Sequence, residues 1–586
     1  MNPEHARSRL RVYAALAALL VLPGLYLRVH ALEWMEFAGD ELMTMYQPYR
    51  ALHERFAVQG ILTSAGISPP NFLVYILALP VTITREPTQL VWFIVVWNLV
   101  GLSVLARALL RCLPAPAALC GVALLASTPG ALLFSRKIWN PDFIPAAVAC
   151  LILALTLQFE KPRRGWTIAV CVLCTLLLGF HLTTAPLLVC VFAWAFVFRV
   201  PLERRGLWIG AASAALLLAP YVWFLVSSGF DDPRSLARVR ESLGPPAEGV
   251  LAVFARHARA ALESVSDGGL LACAPGAGPG ESAARAVAFG FRGFVAAASL
   301  LAALAAPFFA WRASRGRELE PLDKLVALGA LFELVLLATF ARARVGPVPH
   351  YYAVLVPFAL LAALWLAWHL TRRLGPLPLL AATALVVGAH TLLFVRFLEA
   401  LPGAGVPAGM HYAQPFEPQA SKWRAQIAEL FDAVDSGRSA ERAEQERLAR
   451  EFEASHEVLL AYDAQHDQPP AASRGRLELH PGPEGLEVVG STALDMLQLP
   501  VFPPARSGRA ILRLELYSPK EVAGCIFFAS AAQADFQRGS ALRLDTRTGE
   551  NRFYFELDVP GTNRLMLRHG AFRWILRAAE VRAALE

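Results

Sequence analysis

The chain has 586 residues, 56% of them hydrophobic and 17% charged, with 54 Lys and Arg against 47 Asp and Glu for a formal net charge of +7. Its mean hydropathy of +0.45 is far above that of a water-soluble globular chain, and its apolar residues come in blocks of about 15–25, a length suited to crossing a bilayer. This excludes a soluble enzyme. It also removes the basic surplus as a sign of nucleic-acid binding, because many Lys and Arg sit in short segments between the apolar blocks.

In chain order, Arg7, Arg9 and Arg11 precede the first block, and Val29-His30-Ala31 loosely fits a cleavage site. Ten further blocks follow, so the first is read as a retained helix. Spanning helices are predicted at 10–29, 89–110, 117–134, 143–159, 166–180, 183–198, 207–227, 290–311, 322–341, 352–371 and 376–396. An N-terminus in the cytoplasm puts Arg107/Arg111, Lys161/Arg163/Arg164, Arg199/Arg204/Arg205, Arg312/Arg315/Arg317 and Arg372/Arg373 all inside, as the positive-inside rule requires. The block "PPNFLVYILALPVTI" (69–83) is apolar enough to span. Counting it would place every basic cluster opposite the basic N-terminus, so it is expected to lie at the outer interface, started by Pro69-Pro70.

The resulting organisation is a transmembrane domain, 1–396, with outside loops at 30–88 and 228–289. The second loop is Gly/Pro/Ala-rich and expected to be partly mobile. A connector, 397–474, follows, with helical periodicity over 421–462. From 475 to 586, period-2 runs such as "AILRLELYS" and "RFYFELDV", broken by Gly, Pro, Asn and Asp, predict an antiparallel β-sandwich outside the membrane. Of the eight cysteines, Cys273 and Cys525 fall in outside segments and are the pair able to bridge; "CVLC" at 171–174 lies in a membrane helix and reads as packing.

No GxxxxGK[ST], no dinucleotide fingerprint and no HExxH occurs. With no nucleotide motif, a transfer reaction here would take a donor activated elsewhere, and a lipid-linked donor suits a site on the outer face. Four polar segments fall on that face. They are Asp40-Glu41, "FSRKIWNPDFIP" (134–145), "GFHLTT" (179–184) and "FARARVGPVPHYYAVLVP" (340–357). They mix acids, bases, histidine and aromatics. Arg and His can neutralise a phosphate, aromatics can stack on sugar, and a carboxylate can take a proton. Each has a plainer reading: Asp142 as a helix cap, Arg136 and Lys137 as interfacial anchors, His181 as a packed histidine.

The order of these segments resembles the GT-C membrane glycosyltransferases, such as protein O-mannosyltransferases and the lipid A aminoarabinose transferase. A helix leads to an acidic pair, then a Pro-Pro helix start, an "SR…PD" turn and a late "HYY…P" helix; the resemblance covers about residues 1–396. It implies inverting transfer of a sugar from a polyprenyl-phosphate donor to a protein, lipid or polysaccharide acceptor outside the plasma membrane. It makes Asp40 the general base and Glu41 its neighbour. Arg136, Lys137, Asp142, His181, Arg342, Arg344, His350 and Tyr351 become donor phosphate or sugar contacts. The basic residue usual before the Pro-Pro pair is Ser68 here, so Lys137, Arg342 or Arg344 is expected to replace it. Some relatives bind a divalent metal near the acid; Asp40, Asp142 and a histidine are able to ligate one, but no ligand spacing is visible. Two other classes fit the topology: a transporter or flippase, which calls for internal repeats and midplane polar residues, and a non-catalytic scaffold displaying the β-domain.

Overall fold

Proline opens many of the helices, supplying a preset φ where an N–H would be unsatisfied in any case; examples begin at Pro87, Ala115, Ile144, Ala185 and Val356. The computed structural model describes residues 3–53, 69–70, 72–227, 249–270, 279–342, 346–404, 415–435, 440–468, 472–474, 477–490, 496–503, 509–518, 522–530, 541–546, 549–557, 562–568 and 573–584. They form two compact units, Met1–Ala428 and Glu429–Glu586.

Among the described residues of the first unit, 8 helices are long and apolar enough to cross a membrane: Leu10–Val29, Pro87–Cys112, Asn140–Glu160, Arg204–Trp223, Gly280–Ser314, Pro321–Arg342, Pro349–Thr371 and Leu377–Pro402. Shorter apolar helices are Ala115–Ser127, Arg164–Phe180, Leu182–Val197 and Phe72–Ile83. The predicted spans coincide with the eight long helices and the first three short ones. The fourth, Phe72–Ile83, is the block assigned above to the interface. Helix Ala115–Ser127 is buried almost throughout. The first span approaches it so closely that a Cβ at Gly24 would collide with Ala126, and Arg28 donates to the carbonyls of Gly24 and Ala126 there.

Part of the segment 228–289, expected above as a loop, is helical. Residues 250–266 form a regular helix, Val250–Ser266, with Val253, His257, Ala261, Ser264 and Val265 buried at helical spacing. The stretches 228–248 and 271–278, including Cys273, lie outside the described residues, as does Ser68.

The second unit carries helix Ala440–Ala454 and eleven described strands: β1 (Val458–Asp463), β2 (Ala472–Arg474), β3 (Leu477–Gly482), β4 (Gly485–Gly490), β5 (Met496–Gln498), β6 (Ala510–Ser518), β7 (Val522–Ser530), β8 (Ala541–Thr546), β9 (Gly549–Leu557), β10 (Thr562–Arg568) and β11 (Arg573–Ala583). One sheet has the order β3-β4-β11-β6-β9, with β1 also paired to β11; the other is β2-β5-β10-β7-β8. Both are antiparallel throughout. Alternation makes the core: Leu512, Leu514 and Leu516 of β6 join Leu565, Leu567, Leu576 and Val581. Helical periodicity overshoots here, since "VLLAY" is strand β1 rather than the end of a helix. Trp574 and Tyr554 are buried, so neither ring is a surface platform for sugar; Phe572 and the side chain of Cys525 lie outside the described residues.

Candidate active site

After the first span the chain turns sharply. Ala31 takes a left-handed conformation, φ 54°, which disfavours an L-residue by roughly 1–2 kcal/mol. Arg136 secures this turn: its two terminal nitrogens donate to the carbonyls of Leu27 and Ala31, each at 2.6 Å. The next residues are extended. Met35 accepts the Phe416 N–H at 2.8 Å, Glu36 bridges to Pro415, and Phe37 packs edge-on against Phe416 and Trp423. Successive side chains on an extended segment point to opposite sides. Phe37 faces this aromatic pair, while Glu36 meets Lys137, Nζ to Oε2, at 2.9 Å.

Lys137 is the centre of the site. It is 5% exposed, and its ammonium lies 4.2 Å from the centre of the Trp139 ring. Burial works against its charge, but Glu36, Asp142 and Glu41 together hold its pKa above the ordinary lysine value. Asp142 is fully buried; its Oδ2 accepts the Trp139 N–H at 2.9 Å. This is the cap expected of it, yet Oδ1 has no hydrogen-bond partner among the described residues, nor has Oδ1 of Asn140.

Helix Gly39–His53 starts with Asp40 and Glu41 in its first turn, where the helix dipole favours carboxylates. Being consecutive, they face different ways. Glu41 is 2% exposed and accepts the Ala38 N–H at 2.9 Å. Burial pushes its pKa up to about 7, with Lys137 opposing and Glu36 and Asp40 adding. Asp40 stands exposed. Its pKa is also raised, by partial desolvation first, with Lys137 opposing and Glu36 adding. An exposed, unusually basic carboxylate beside a buried proton-retaining one is an arrangement suited to proton abstraction.

Trp139 connects this acid end to the third and fourth segments. Its ring meets His350 edge-on at 4.4 Å, and His350 meets His181 at 5.6 Å and Tyr351 at 4.4 Å. His181 is held by Thr183, whose backbone N–H it accepts while Nδ1 lies 2.9 Å from the hydroxyl; burial lowers its pKa to about 4. Beyond His350, Arg256, Arg259, Ser264, Pro347 and Pro349 line a cavity of about 300 Å³. The same helix presents His257, whose Nδ1 lies 2.6 Å from the Tyr352 hydroxyl.

The structure therefore brings Asp40, Glu41, Lys137 and Asp142 together and links them through Trp139 to His181, His350 and Tyr351. Arg136 is engaged by backbone carbonyls. Arg342 is exposed at the last residue of its helix, and Arg344 lies outside the described residues. The sequence reading missed Glu36, Trp139 as a bridge, and Arg256 and Arg259. Glu36 was in view two residues before Ala38, but nothing local marks its partner. Among the described residues no group of three or more His, Cys, Asp or Glu side chains is arranged to hold a metal ion.

No known family profile matches the chain, and no curated protein matches it. Solved structures similar to it include ArnT from Cupriavidus metallidurans bound to undecaprenyl phosphate, 13% identical, with 68% of this chain and 78% of that one covered and a TM-score of 0.43. The oligosaccharyltransferase of Archaeoglobus fulgidus is 14% identical over 68% of this chain and 57% of its own, TM-score 0.37. The arabinosyltransferase EmbB from Mycobacterium smegmatis is 12% identical over 97% and 64%, TM-score 0.32. These are GT-C glycosyltransferases, the superfamily that the sequence motifs resemble.

Proposed function

We propose that this chain is a membrane glycosyltransferase that moves a sugar from a polyprenyl-phosphate-linked donor to an acceptor hydroxyl at the outer face of the plasma membrane, with inversion. The carrying observation is a site with two unlike ends. Carboxylates gather round Lys137 at one end; at the other, Arg256 and Arg259 line a cavity together with Glu263, which pairs with Arg259 at 3.0 Å; Trp139 and His350 lie between. Such polarity suits a substitution in which one oxygen loses a proton while another takes up negative charge.

In this reading Asp40 takes the proton of the acceptor hydroxyl as its oxygen bonds to the anomeric carbon. The bond from that carbon to the lipid phosphate breaks, and the phosphate leaves as an anion stabilised by Arg256 and Arg259. Lys137 keeps Glu36 and Asp142 from repelling the reacting carboxylate. The unpartnered Oδ1 of Asp142 accepts a hydroxyl of the donor sugar, and Trp139 offers it a face. Glu41, which burial holds partly protonated up to about pH 7, shapes the start of the helix. His181, His350 and Tyr351 form the wall. Arg136 acts as a positioning residue through the Ala31 turn.

Membranes containing the full chain, incubated with radiolabelled polyprenyl-phosphate sugars, test the proposal. Consumption of one such donor by the wild type and its loss in Asp40→Asn is expected. Equal consumption by the variant removes Asp40 from the chemistry, and no consumption of any donor removes the reaction class. Reporter fusions after Arg164 and after Ala400 are expected on opposite sides of the membrane.

A further inference from the structure

We infer that Phe416 and Arg424, which follow the last span, are positioning residues for the acids around Lys137. They act through Glu36 and the Asp142 turn rather than on the substrate. The inference rests on Asp40 being the base, as proposed above, and all of its contacts lie within the first unit.

The run Met35–Phe37 is held at its two ends and in its middle. Arg136 takes the Ala31 carbonyl before it, and Glu41 takes the Ala38 N–H after it. In the middle, the Phe416 N–H donates to the Met35 carbonyl at 2.8 Å, and Glu36 bridges to Pro415. An extended run presents alternate residues to opposite sides. Phe37 is fully buried, with the rings of Phe416 and Trp423 edge-on to it at 5.4 and 5.3 Å. Glu36 emerges on the other side, at Lys137. A slip of one residue exchanges the two, setting a carboxylate between rings and a benzyl group against an ammonium. Burying an unpaired carboxylate costs far more than burying a ring. The Phe416–Trp423 pair thus selects the register that aims Glu36 at Lys137.

Arg424 ties the same segment to the other acid. Its guanidinium lies 5.3 Å from the centre of the Phe416 ring and donates to both carboxylate oxygens of Glu86, at 2.9 and 3.0 Å. Glu86 is the N-cap of helix Pro87–Cys112. Further along that helix, Asn98 donates to the Asp142 carbonyl at 3.1 Å and Trp97 to the Phe143 carbonyl at 3.2 Å. Glu36 and Asp142 are the acids that do most to hold the charge on Lys137. The segment from Pro415 to Arg424 is fastened to the supports of both. The Arg424–Glu86 pair is partly exposed and adds little stability by itself; its two-pronged geometry sets a direction.

The consequence for the reaction is electrostatic. Asp40 is faced by Glu36 from this run and by Lys137 from the turn that also carries Asp142, and the two act on its charge in opposite senses. Glu41 stands beside it on its own helix. With Glu36 drawn away, Lys137 acts on Asp40 unopposed and favours its ionised form. Asp40 then becomes a weaker base, and the rate falls off at a lower pH.

Membranes containing the full chain, given the radiolabelled polyprenyl-phosphate sugar that the wild type consumes, provide the first test. Phe416→Ala is expected to lower kcat about ten-fold with donor KM nearly unchanged, and to move the acidic fall of the rate to lower pH, as Glu36→Gln does. Phe416→Leu refills the space and is expected to restore most of both. Arg424→Gln is expected to give a smaller change in the same direction. The second test needs no turnover and uses the purified full chain in lipid nanodiscs. The drop in melting midpoint caused by Lys137→Met is expected to shrink to about half in the Phe416→Ala background, because Glu36 is no longer held at the lysine. Where Phe416→Ala yields no folded protein, Arg424→Gln takes its place in both measurements. Additive melting losses overturn the inference, as does a kcat loss with an unmoved pH profile. If the wild type consumes no donor, the reaction class falls, and the melting cycle alone decides the positioning role.

Discussion

Lys137 and Glu36 meet at 2.9 Å across 101 positions of sequence, with side chains only 6% and 12% exposed. A pair this buried is fixed by its surroundings. Taking away one member leaves the other charge without its nearest counter-ion, whereas taking away both removes that pair and leaves Asp142 as the buried acid that has lost the lysine.

Lys137→Met alone is accordingly expected to destabilise the protein by about 3–5 kcal/mol, and the double change with Glu36→Met by much less. Thermal unfolding of wild type, both single variants and the double variant measures the coupling. Additive losses would mean that the contact contributes nothing.

Asp40→Asn is expected to lower the transfer rate by about 10²–10⁴, the range for a lost general base, with donor binding nearly unchanged. Glu41→Gln retains an acceptor for the Ala38 N–H and is expected to cost the rate far less. A larger loss in Glu41→Gln than in Asp40→Asn would exchange their roles. Because the Asp40 pKa is raised, the rate should fall as pH drops through that raised value, at a higher pH than an ordinary aspartate would give.

Glu41 and His181 tilt stability in opposite directions. Glu41 keeps its proton in the fold up to about pH 7 and loses it near 4.5 when unfolded, so it weakens the fold as pH rises through that interval. His181 stays neutral down to about 4 but takes a proton below about 6.5 when unfolded, so it weakens the fold as pH falls from 6.5 to 4. Glu41→Gln is expected to melt several degrees higher than wild type at pH 8 and alike at pH 4. His181→Asn should gain at pH 4.5 and be neutral at pH 8. Melting curves over pH 4–8 decide both.

Arg136→Lys removes the fork that holds two carbonyls. A lower melting temperature and a lower rate, with donor KM unchanged, are expected. A raised donor KM with unaltered melting would instead make Arg136 a phosphate contact.

Arg256→Ala with Arg259→Ala is expected to raise donor KM at least about ten-fold and to lower kcat if leaving-phosphate charge is stabilised there. Unchanged donor kinetics would move the phosphate elsewhere.

Much of this was legible in the sequence because it is repetitive physics. Apolar blocks of membrane length, prolines at helix starts and alternation in "AILRLELYS" each fix a local structure. Asp40, Glu41, Lys137, Asp142 and His350 stood out as polar groups where a membrane chain is expected to be apolar. What was hidden depends on contacts between distant residues. Glu36 is an ordinary acid until the strand-like run Met35–Phe37 aims it at Lys137. Arg136 shows no local sign of its carbonyl partners until Ala31 turns left-handed beside it. "VLAVFARHARAALESVS" has helical spacing, but its Gly/Pro-rich flanks masked it as a loop, and Arg256 and Arg259 went with it. The helical reading ran too far, to 462, because charged helix and half-exposed strand share the same residues at that junction.

The turn at Ala31 has a mechanical consequence. Arg136 clasps the end of the first span and is followed immediately by Lys137, with Asp142 a short turn further on. The acid loop and the lysine turn are thereby pinned to one strut. Thinning or thickening the bilayer is expected to tilt that strut and to carry both halves of the carboxylate group together, so that a change in lipid chain length shifts the depth of the site without prising Asp40 away from Lys137.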